Sequence, residues 1–154
     1  MLRVGDKAPD IALPDADMKL RTSADFAGQN LVLYFYPKDD TPGCTIQANE
    51  FSDLIDEFEK AGAQVIGVSG DTCFSHQAFR EKYGLKLTLL ADVEGELCNK
   101  FGVIQEKEKD GIKKTGIVRS TFVIDPDGAI SYAEYGVAPK GHARQLLDFL
   151  TRRA

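Results

Sequence analysis

Apolar residues occur in this chain of 154 residues as short continuous runs that are separated by longer amphipathic stretches. The clearest runs are residues 31–36 (LVLYFY) and residues 65–69 (VIGVS), each bounded by glycine, proline or polar residues. Continuous apolar runs of this length are typical of strands that are buried on both faces of a sheet. We therefore predict two central strands there and a shorter strand at residues 88–91.

Apolar residues at helical spacing follow each of the first two runs. The stripe of the first predicted helix consists of Phe51, Leu54, Ile55 and Phe58, and that of the second consists of Phe74, Ala78, Phe79 and Tyr83. The first helix begins near Pro42 and is closed by Gly62, because glycine adopts the left-handed conformation that ends helices. The second helix is capped by Asp71 or Thr72 and ends before Gly84.

The rest of the chain predicts a hairpin and two further helices. Residues 117–125 and 129–137 form two strands that are joined by a turn at residues 126–128 (PDG), where proline and glycine supply the turn geometry. Residues 107–114 (KEKDGIKK) are predicted as a charged loop. The stripe of a brief helix consists of Val93, Leu97 and Phe101, and that of a C-terminal helix consists of Leu146, Leu147 and Leu150.

The alternation of strands and helices, followed by a hairpin and a helix, predicts an α/β three-layer sandwich with a central mixed sheet. Length and ordinary globular composition indicate one domain that spans residues 1–154. Ligands of such sheets bind beyond the carboxyl ends of the parallel strands. Residues 37–44 and 70–73 are therefore the predicted functional loops.

Charge and hydropathy exclude several classes of partner. The net charge is −5 and there is no dense run of lysine and arginine, which argues against nucleic acid and against an anionic membrane. No apolar run approaches the roughly 20 residues that span a bilayer. The first 15 residues lack the pattern of a signal peptide. We therefore expect a cytoplasmic protein.

The three cysteines, Cys44, Cys73 and Cys98, include no C-x-x-C pair. Their number and spacing fit neither a disulfide framework nor a zinc site, so we expect free thiols in a reducing compartment. A cysteine hydrolase would need a histidine base. His76 and His142 lie in polar or glycine-flanked surroundings, and we expect both at the surface.

Cys44 follows a loop that leads from a buried strand into a helix, so it is expected in the first helical turn. The helix dipole and the unpaired N–H groups there favour an anion, and the thiolate is the nucleophilic form of cysteine. Thr41 either caps this helix or contacts the sulfur or a substrate oxygen. Pro42 suits the first helical position, and Pro37 ends the strand.

Arg119 interrupts the apolar pattern of a predicted strand. Arginine is seldom buried unless it is paired. The side chain either faces solvent or a surface carboxylate, or it lies beside Cys44, where it stabilises the thiolate and binds substrate oxygens. The pattern alone leaves both alternatives open.

The spacing P-x-x-x-T-x-x-C, formed by Pro37, Thr41 and Cys44, resembles the active-site motif of peroxiredoxins. The strings YFYPKDDTPGCTIQ, FREKYG, RSTFVID and PDG resemble the Q-type, or bacterioferritin-comigratory-protein, subgroup over nearly the whole chain. This resemblance implies a thioredoxin-like fold and the reduction of hydrogen peroxide and organic hydroperoxides without metal, haem or flavin. It also implies that Cys44 is the peroxidatic nucleophile, that Thr41 and Arg119 activate it and polarise the O–O bond, and that Pro37 shields the site.

The resolving thiol is where the chain departs from this pattern. Members of the subgroup place a resolving cysteine five residues after the nucleophile, where this chain has Asn49, or in the next helix, at the position that aligns with Arg80. We therefore expect an external thiol, either thioredoxin, glutaredoxin or a small thiol, to reduce the sulfenic acid. The alternative is that Cys73 is an internal resolver, whereas Cys98 is expected to be a core thiol.

Two other functions share this fold. A thioredoxin-type disulfide oxidoreductase normally needs C-x-x-C, but Cys44 is followed by Thr45, Ile46 and Gln47. A non-catalytic binding module would leave Cys44 unreactive. Relatives of the Q-type are often monomers or weak dimers, and no feature of the sequence argues for an obligate interface. We therefore expect a monomer.

Overall fold

The computed structural model describes residues 1–153. The strands are β1 (Ala12–Pro14), β2 (Leu20–Thr22), β3 (Asn30–Phe35), β4 (Ala63–Ser69), β5 (Thr88–Ala91), β6 (Ile104–Lys109), β7 (Ile112–Ile117), β8 (Ser120–Ile124) and β9 (Ile130–Tyr135). The helices are α1 (Pro42–Asp53), α2 (Ile55–Lys60), α3 (Cys73–Tyr83), α4 (Glu96–Lys100) and α5 (His142–Arg153), and a 3-10 turn covers Ser23–Phe26. No helix among residues 1–153 is long and apolar enough to cross a membrane.

Five strands form the central sheet in the order β5-β4-β3-β8-β9. Strand β3 is parallel to β4, and β4 is parallel to β5, whereas β8 is antiparallel to both β3 and β9. The predicted mixed sheet is therefore confirmed. Because β3, β4 and β5 run in one direction, the loops that lead into α1 and α3 leave the same edge of the sheet.

Two apolar clusters cover the two faces of this sheet. Alternate residues of β3 point to opposite sides, so Val32 and Tyr34 join one cluster while Leu31 and Leu33 join the other. Helices α1, α2, α3 and α5 pack in the first cluster, and α4 packs in the second. The helices therefore flank the sheet on both sides, which confirms the predicted three-layer α/β arrangement.

A close approach at the centre of the sheet explains why a glycine stands in β4. A Cβ atom on Gly67 would lie 2.8 Å from the hydroxyl oxygen of Tyr34, its partner in β3. The Tyr34 ring in turn stacks on Phe51 of α1, with the ring centroids 4.7 Å apart. Gly67 thus leaves space for the Tyr34 ring, through which α1 packs on the sheet.

The first predicted helix is two helices, because the chain breaks at Leu54. The backbone of Leu54 leaves the helical region with φ −101° and ψ 7°, and its N–H donates to the carbonyl of Phe51 instead of continuing the ladder. The apolar spacing runs through this break without a change of face, since Phe51, Ile55 and Phe58 are all buried. Periodicity therefore could not reveal it.

The predicted charged loop at residues 107–114 is wrong, since these residues belong to the β6–β7 hairpin. Asp110 and Gly111 form its turn with φ values of 54° and 77°. Two consecutive residues with positive φ are what a two-residue hairpin turn requires, and Asp-Gly supplies them readily. The predicted strand at residues 117–125 is likewise divided, because β7 ends at Ile117 and β8 begins at Ser120.

Helix α3 begins and ends as predicted, but its buried face differs from the predicted stripe. The Thr72 side chain accepts a hydrogen bond from the N–H of Ser75, and Gly84 closes the helix with φ 61°. Phe74 is 71% exposed, whereas His76 is fully buried. In the brief helix, Leu97 is buried as predicted, but Val93 lies before α4 and is exposed.

Candidate active site

Cys44 is the third residue of α1, which starts at the edge of the sheet where the parallel strands end. The chain reaches it from β3 through residues 36–41, which we call the active-site loop. Thr41 occupies the N-cap position in an extended conformation, and Pro42 is the first helical residue. Cys44 is 1% exposed. Its sulfur therefore lies in the helix's first turn, as predicted, and is covered.

Arg119 is the charged partner of Cys44. Its Nη2 donates to the Cys44 Sγ at 3.3 Å, and its Nη1 donates to the Oε1 of Gln47 at 2.6 Å. The residue lies in the two-residue gap between β7 and β8, where its carbonyl accepts hydrogen bonds from the N–H groups of Gly136 and Val137. The alternative that Arg119 faces solvent or a surface carboxylate is therefore wrong.

Gly43 lets this arginine approach the helix. A Cβ atom at residue 43 would lie 3.1 Å from the Arg119 Nη2 and 3.4 Å from the Cγ of Pro139. The guanidinium therefore crosses the first turn of α1 where no side chain stands in the way.

The Thr41 hydroxyl does not cap α1. It donates to the carbonyl of Lys38 at 2.8 Å, within the active-site loop, while the backbone carbonyl of Thr41 accepts from the N–H of Thr45. The side-chain capping alternative is therefore wrong. Pro37 follows the end of β3 and is exposed.

Gln47 is a residue of the site that the sequence did not single out. It is fully buried one helical turn after Cys44, and its Oε1 fixes the second arm of Arg119. Among the side chains that the structure describes, its Nε2 and the hydroxyl of Tyr34 are the buried polar atoms without a hydrogen-bond partner. Burial and the nearby Cys44 raise the pKa of Tyr34. The spacing of three from Cys44 places Gln47 on the same helix face, which was the available signal.

Lys107 adds a second cation to the surroundings of Cys44. It is half-buried in β6, between the exposed Glu106 and Glu108. Burial and the charge of Arg119 lower the pKa of Lys107, while Cys44 acts in the opposite direction. The β6–β7 hairpin therefore places Lys107 near the active site, although residues 107–114 were predicted to form a loop.

Known proteins resemble this chain over almost its full length. The sequence profile of the AhpC/TSA family matches residues 4–133. The putative peroxiredoxin bcp of Coxiella burnetii is 42% identical over 149 residues, which are 97% of this chain and 99% of that protein. Peroxiredoxin Bcp of Escherichia coli K12 is 41% identical over 153 residues, covering 99% and 98% of the two chains. The chain belongs to the AhpC/TSA family.

Solved structures give the same assignment. A mutant of the peroxiredoxin Q of Xylella fastidiosa superposes with a TM-score of 0.94 at 38% identity, covering 99% of this chain and 98% of that one. The bacterioferritin comigratory protein of Xanthomonas campestris, studied for its alkyl peroxide reduction activity, superposes with a TM-score of 0.88 at 40% identity over 93% and 91% of the two chains. The protein is therefore a peroxiredoxin of the Bcp, or Q-type, group with a thioredoxin fold, and a thiol peroxidase rather than a binding module.

The other two cysteines of this peroxiredoxin differ in their surroundings, and all three thiols are free. Cys98 is fully buried in the cluster on the opposite face of the sheet from Cys44, as expected of a core thiol. Burial and the neighbouring Asp92 raise the pKa of Cys98, which keeps the thiol neutral. Cys73 is half-buried at the first position of α3. Cys73 thus begins a helix that packs on the same face of the sheet as Cys44, whereas Cys98 lies on the opposite face.

The prediction that both histidines lie at the surface is wrong. His142 is 2% exposed, its Nε2 lies 2.8 Å from the Thr121 hydroxyl, and burial lowers the pKa of His142. His76 is fully buried, with its Nδ1 2.7 Å from the Oδ2 of Asp39. Their partners Thr121 and Asp39 lie 21 and 37 residues away in the sequence, so local composition does not reveal the burial of either histidine.

Proposed function

We propose that this peroxiredoxin reduces hydrogen peroxide and alkyl hydroperoxides by nucleophilic attack of Cys44. The contact between the Arg119 Nη2 and the Cys44 Sγ, at 3.3 Å, carries this proposal. A fixed cation beside a covered sulfur at a helix start favours the thiolate. The alkyl peroxide reduction activity of the related Xanthomonas protein supports the choice of substrate.

The proposed step transfers one oxygen atom. The Cys44 thiolate attacks one peroxide oxygen, so an S–O bond forms as the O–O bond breaks, and the departing alkoxide or hydroxide takes the electron pair and then a proton from solvent. The sulfur is oxidised by two electrons to a sulfenic acid. The backbone N–H of Cys44 and the guanidinium of Arg119 stabilise the developing negative charge. In this scheme Thr41 contacts the peroxide oxygens and Pro37 shields the sulfur.

We propose that an external thiol completes the cycle. Asn49 cannot form a disulfide, and Arg80 forms a two-armed ion pair with Asp17 at 3.0 and 2.8 Å. A thiol of thioredoxin, glutaredoxin or a small molecule would attack the sulfenic sulfur, releasing water and leaving a mixed disulfide that a second thiol reduces. The reducing cytoplasm supplies such thiols, and in a monomer no second copy of the chain covers the first turn of α1.

Cys73 remains the second candidate because its helix touches the active-site loop. The hydroxyl of Ser75, in the same first turn as Cys73, donates to the Oδ2 of Asp39 at 2.8 Å. This contact favours Cys73 over Cys98 as an internal resolver, since Cys98 lies on the other face of the sheet.

Mass spectrometry after one equivalent of peroxide separates these schemes. In the unmutated chain we expect a dimedone-trapped sulfenic acid on Cys44 and no intramolecular disulfide, and we expect no peroxide consumption by Cys44→Ser. Peroxide consumption by that variant would overturn the assignment of the nucleophile. An intramolecular disulfide that is lost in Cys73→Ser but kept in Cys98→Ser would instead name Cys73 as the resolver.

A further inference from the structure

We propose that His76 is a positioning residue for the peroxide reaction, because its buried hydrogen bond with Asp39 holds the active-site loop in the arrangement that Cys44 requires. This inference rests on the proposed role of Cys44. It concerns a histidine on α3, outside the P-x-x-x-T-x-x-C motif, and an aspartate at a position that the motif leaves open.

His76 has an acceptor at each ring nitrogen. Its Nδ1 lies 2.7 Å from the Oδ2 of Asp39, and its Nε2 lies 2.9 Å from the backbone carbonyl of Leu90 in β5. His76 is fully buried and Asp39 is 7% exposed. The two contacts therefore join α3 to the active-site loop on one side and to the sheet on the other.

The hydrogen bonds determine how many protons the pair holds. A carbonyl cannot donate, so the Nε2 of His76 carries a proton, and a second proton lies between the Nδ1 and Asp39. The carboxylate of Asp39 also accepts from the Tyr36 hydroxyl at 2.5 Å and from the Ser75 hydroxyl at 2.8 Å. The pair therefore shares one proton between the Nδ1 and Asp39 and has no net charge to bury.

The backbone of Asp39 is fixed as well. Its N–H donates to the Oδ2 of Asp71 at 2.8 Å, and that carboxylate also accepts from the Ser69 hydroxyl at 2.7 Å. One carboxylate oxygen each of Asp39 and Asp71 and a ring nitrogen of His76 lie within 4.8 Å of one another, and Asp71 belongs to the loop before α3. The loops at the ends of two neighbouring parallel strands are thus bonded to each other through Asp39.

The next residue shows what this bonding holds in place. Asp40 has φ 59°, a left-handed conformation that is unfavourable for a residue with a side chain. Its carboxylate is bound by the Tyr83 hydroxyl at 2.5 Å and by the Lys82 ammonium at 2.7 Å, both from the end of α3. Helix α3 therefore grips the active-site loop at Asp39 and at Asp40, just before Thr41 and the start of α1.

Two amide substitutions test the role of each nitrogen. In His76→Asn the amide nitrogen takes the place of the Nδ1 and still donates to Asp39, whereas in His76→Gln it takes the place of the Nε2 and reaches only Leu90. We expect His76→Gln to lower the second-order rate of Cys44 oxidation by hydrogen peroxide about tenfold or more, and His76→Asn less than about threefold. Stopped-flow single turnovers give the rates, and urea unfolding gives the stabilities.

Leu87→Ala is the matched control, because Leu87 is buried in the same apolar cluster but lies beside Gln29 and Ala63, at the edge of the sheet opposite the active-site loop. We expect it to lower stability but not the oxidation rate. Equal rates in the two amide variants, or a rate loss in Leu87→Ala as large as that in His76→Gln, would overturn the inference. If the unmutated protein consumes no peroxide, the proposed function fails instead.

A measurement on the unmutated chain keeps the inference testable should the variants not fold. Nitrogen-15 NMR of His76 is expected to show a proton on the Nε2 and a hydrogen-bonded Nδ1. An Nε2 without a proton, or an Nδ1 with no hydrogen bond, would contradict the proposed hold on the active-site loop.

Discussion

At the scale of single residues, the site depends on one guanidinium whose two terminal nitrogens bind different partners. Arg119 directs its Nη2 to the Cys44 sulfur and its Nη1 to Gln47. A lysine ammonium would supply the charge but not this planar fork. The orientation of the cation is therefore fixed by α1 itself, because Gln47 and Cys44 stand one turn apart on the same helix.

Gly43→Ala tests how closely Arg119 must approach. Alanine favours the helix by up to about 1 kcal/mol relative to glycine, so the free energy of unfolding should be unchanged or higher. The new Cβ would stand 3.1 Å from the Arg119 Nη2 and push it away from the sulfur. We expect the rate of Cys44 oxidation to fall about tenfold or more.

Single-turnover kinetics and urea unfolding measure the two effects. Gly116→Ala is the control, since its Cβ would meet no atom within 4 Å. A Gly43→Ala enzyme with the full oxidation rate would show that Arg119 tolerates displacement.

The sequence predicted some of these residues and could not predict others. Cys44, Thr41 and Pro37 lie in one segment with a recognisable spacing. Arg119 is distant in sequence, and its place in an apolar run and in the string RSTFVID pointed to it. Gln47 could be signalled only by its spacing of three from Cys44, because its burial results from the packing of α1 against the sheet.

At the scale of elements, the β6–β7 hairpin brings charge to the site. Its strands are almost entirely polar, so no alternation marked them, yet the Asp110-Gly111 turn is a direct hairpin signal. Such strands are paired through backbone hydrogen bonds and carry little apolar surface. Lys107 and Lys114 stand opposite each other, a like-charge pair that works against the hairpin.

Lys107→Met tests two effects of this lysine: its charge near Cys44 and the destabilisation of the fold by that half-buried charge. Burial lowers the pKa of Lys107, which means that the folded chain disfavours the charged form present at neutral pH. Removing the charge should raise the free energy of unfolding. It should also slow Cys44 oxidation about three- to tenfold, since one screened cation near the thiolate is lost.

Lys114→Met provides the comparison, because it relieves the same repulsion from an exposed position. We expect it to stabilise the chain without slowing oxidation. An equal loss of rate in both variants would show that the net charge of the hairpin matters and not the place of Lys107.

At the scale of the whole molecule, the sheet divides the cysteines between two cores. Cys44 belongs to the cluster beneath α1, and Cys98 belongs to the cluster beneath α4. The alternation of β3 could be read from its continuous apolar run, but the side taken by each helix depends on connections across the sheet. Which thiols share a face therefore could not be predicted from spacing.

Cys98 gives the stability of the molecule a dependence on pH. Its pKa in the fold is raised by burial and by Asp92, above the value of about 8.5 in an unfolded chain. The contribution of the neutral Cys98 thiol to the free energy of unfolding is fully present below that pH and is lost as the pH rises above it. The free energy of unfolding should thus fall by up to about 1.4 kcal/mol per pH unit between about pH 8.5 and 10.

Urea unfolding in a Cys44→Ser background measures this slope without interference from the nucleophile. We expect Cys98→Ala to flatten it and Cys73→Ala, at a half-buried position, to leave it in place. An unchanged slope in Cys98→Ala would assign the dependence to other groups.

The covering of Cys44 sets a limit on the size of what reaches it. Cys44 is 1% exposed, so a small peroxide can reach its sulfur. A disulfide needs a second sulfur at about 2.05 Å, and a partner protein cannot reach that distance while the residues around Cys44 stay in place. Oxygen transfer thus benefits from a closed first turn of α1, and sulfur exchange requires an open one. Turnover should be greatest at an intermediate stability of that turn. A variant that speeds oxidation by stabilising the turn would therefore slow the reduction of oxidised Cys44 by a thiol.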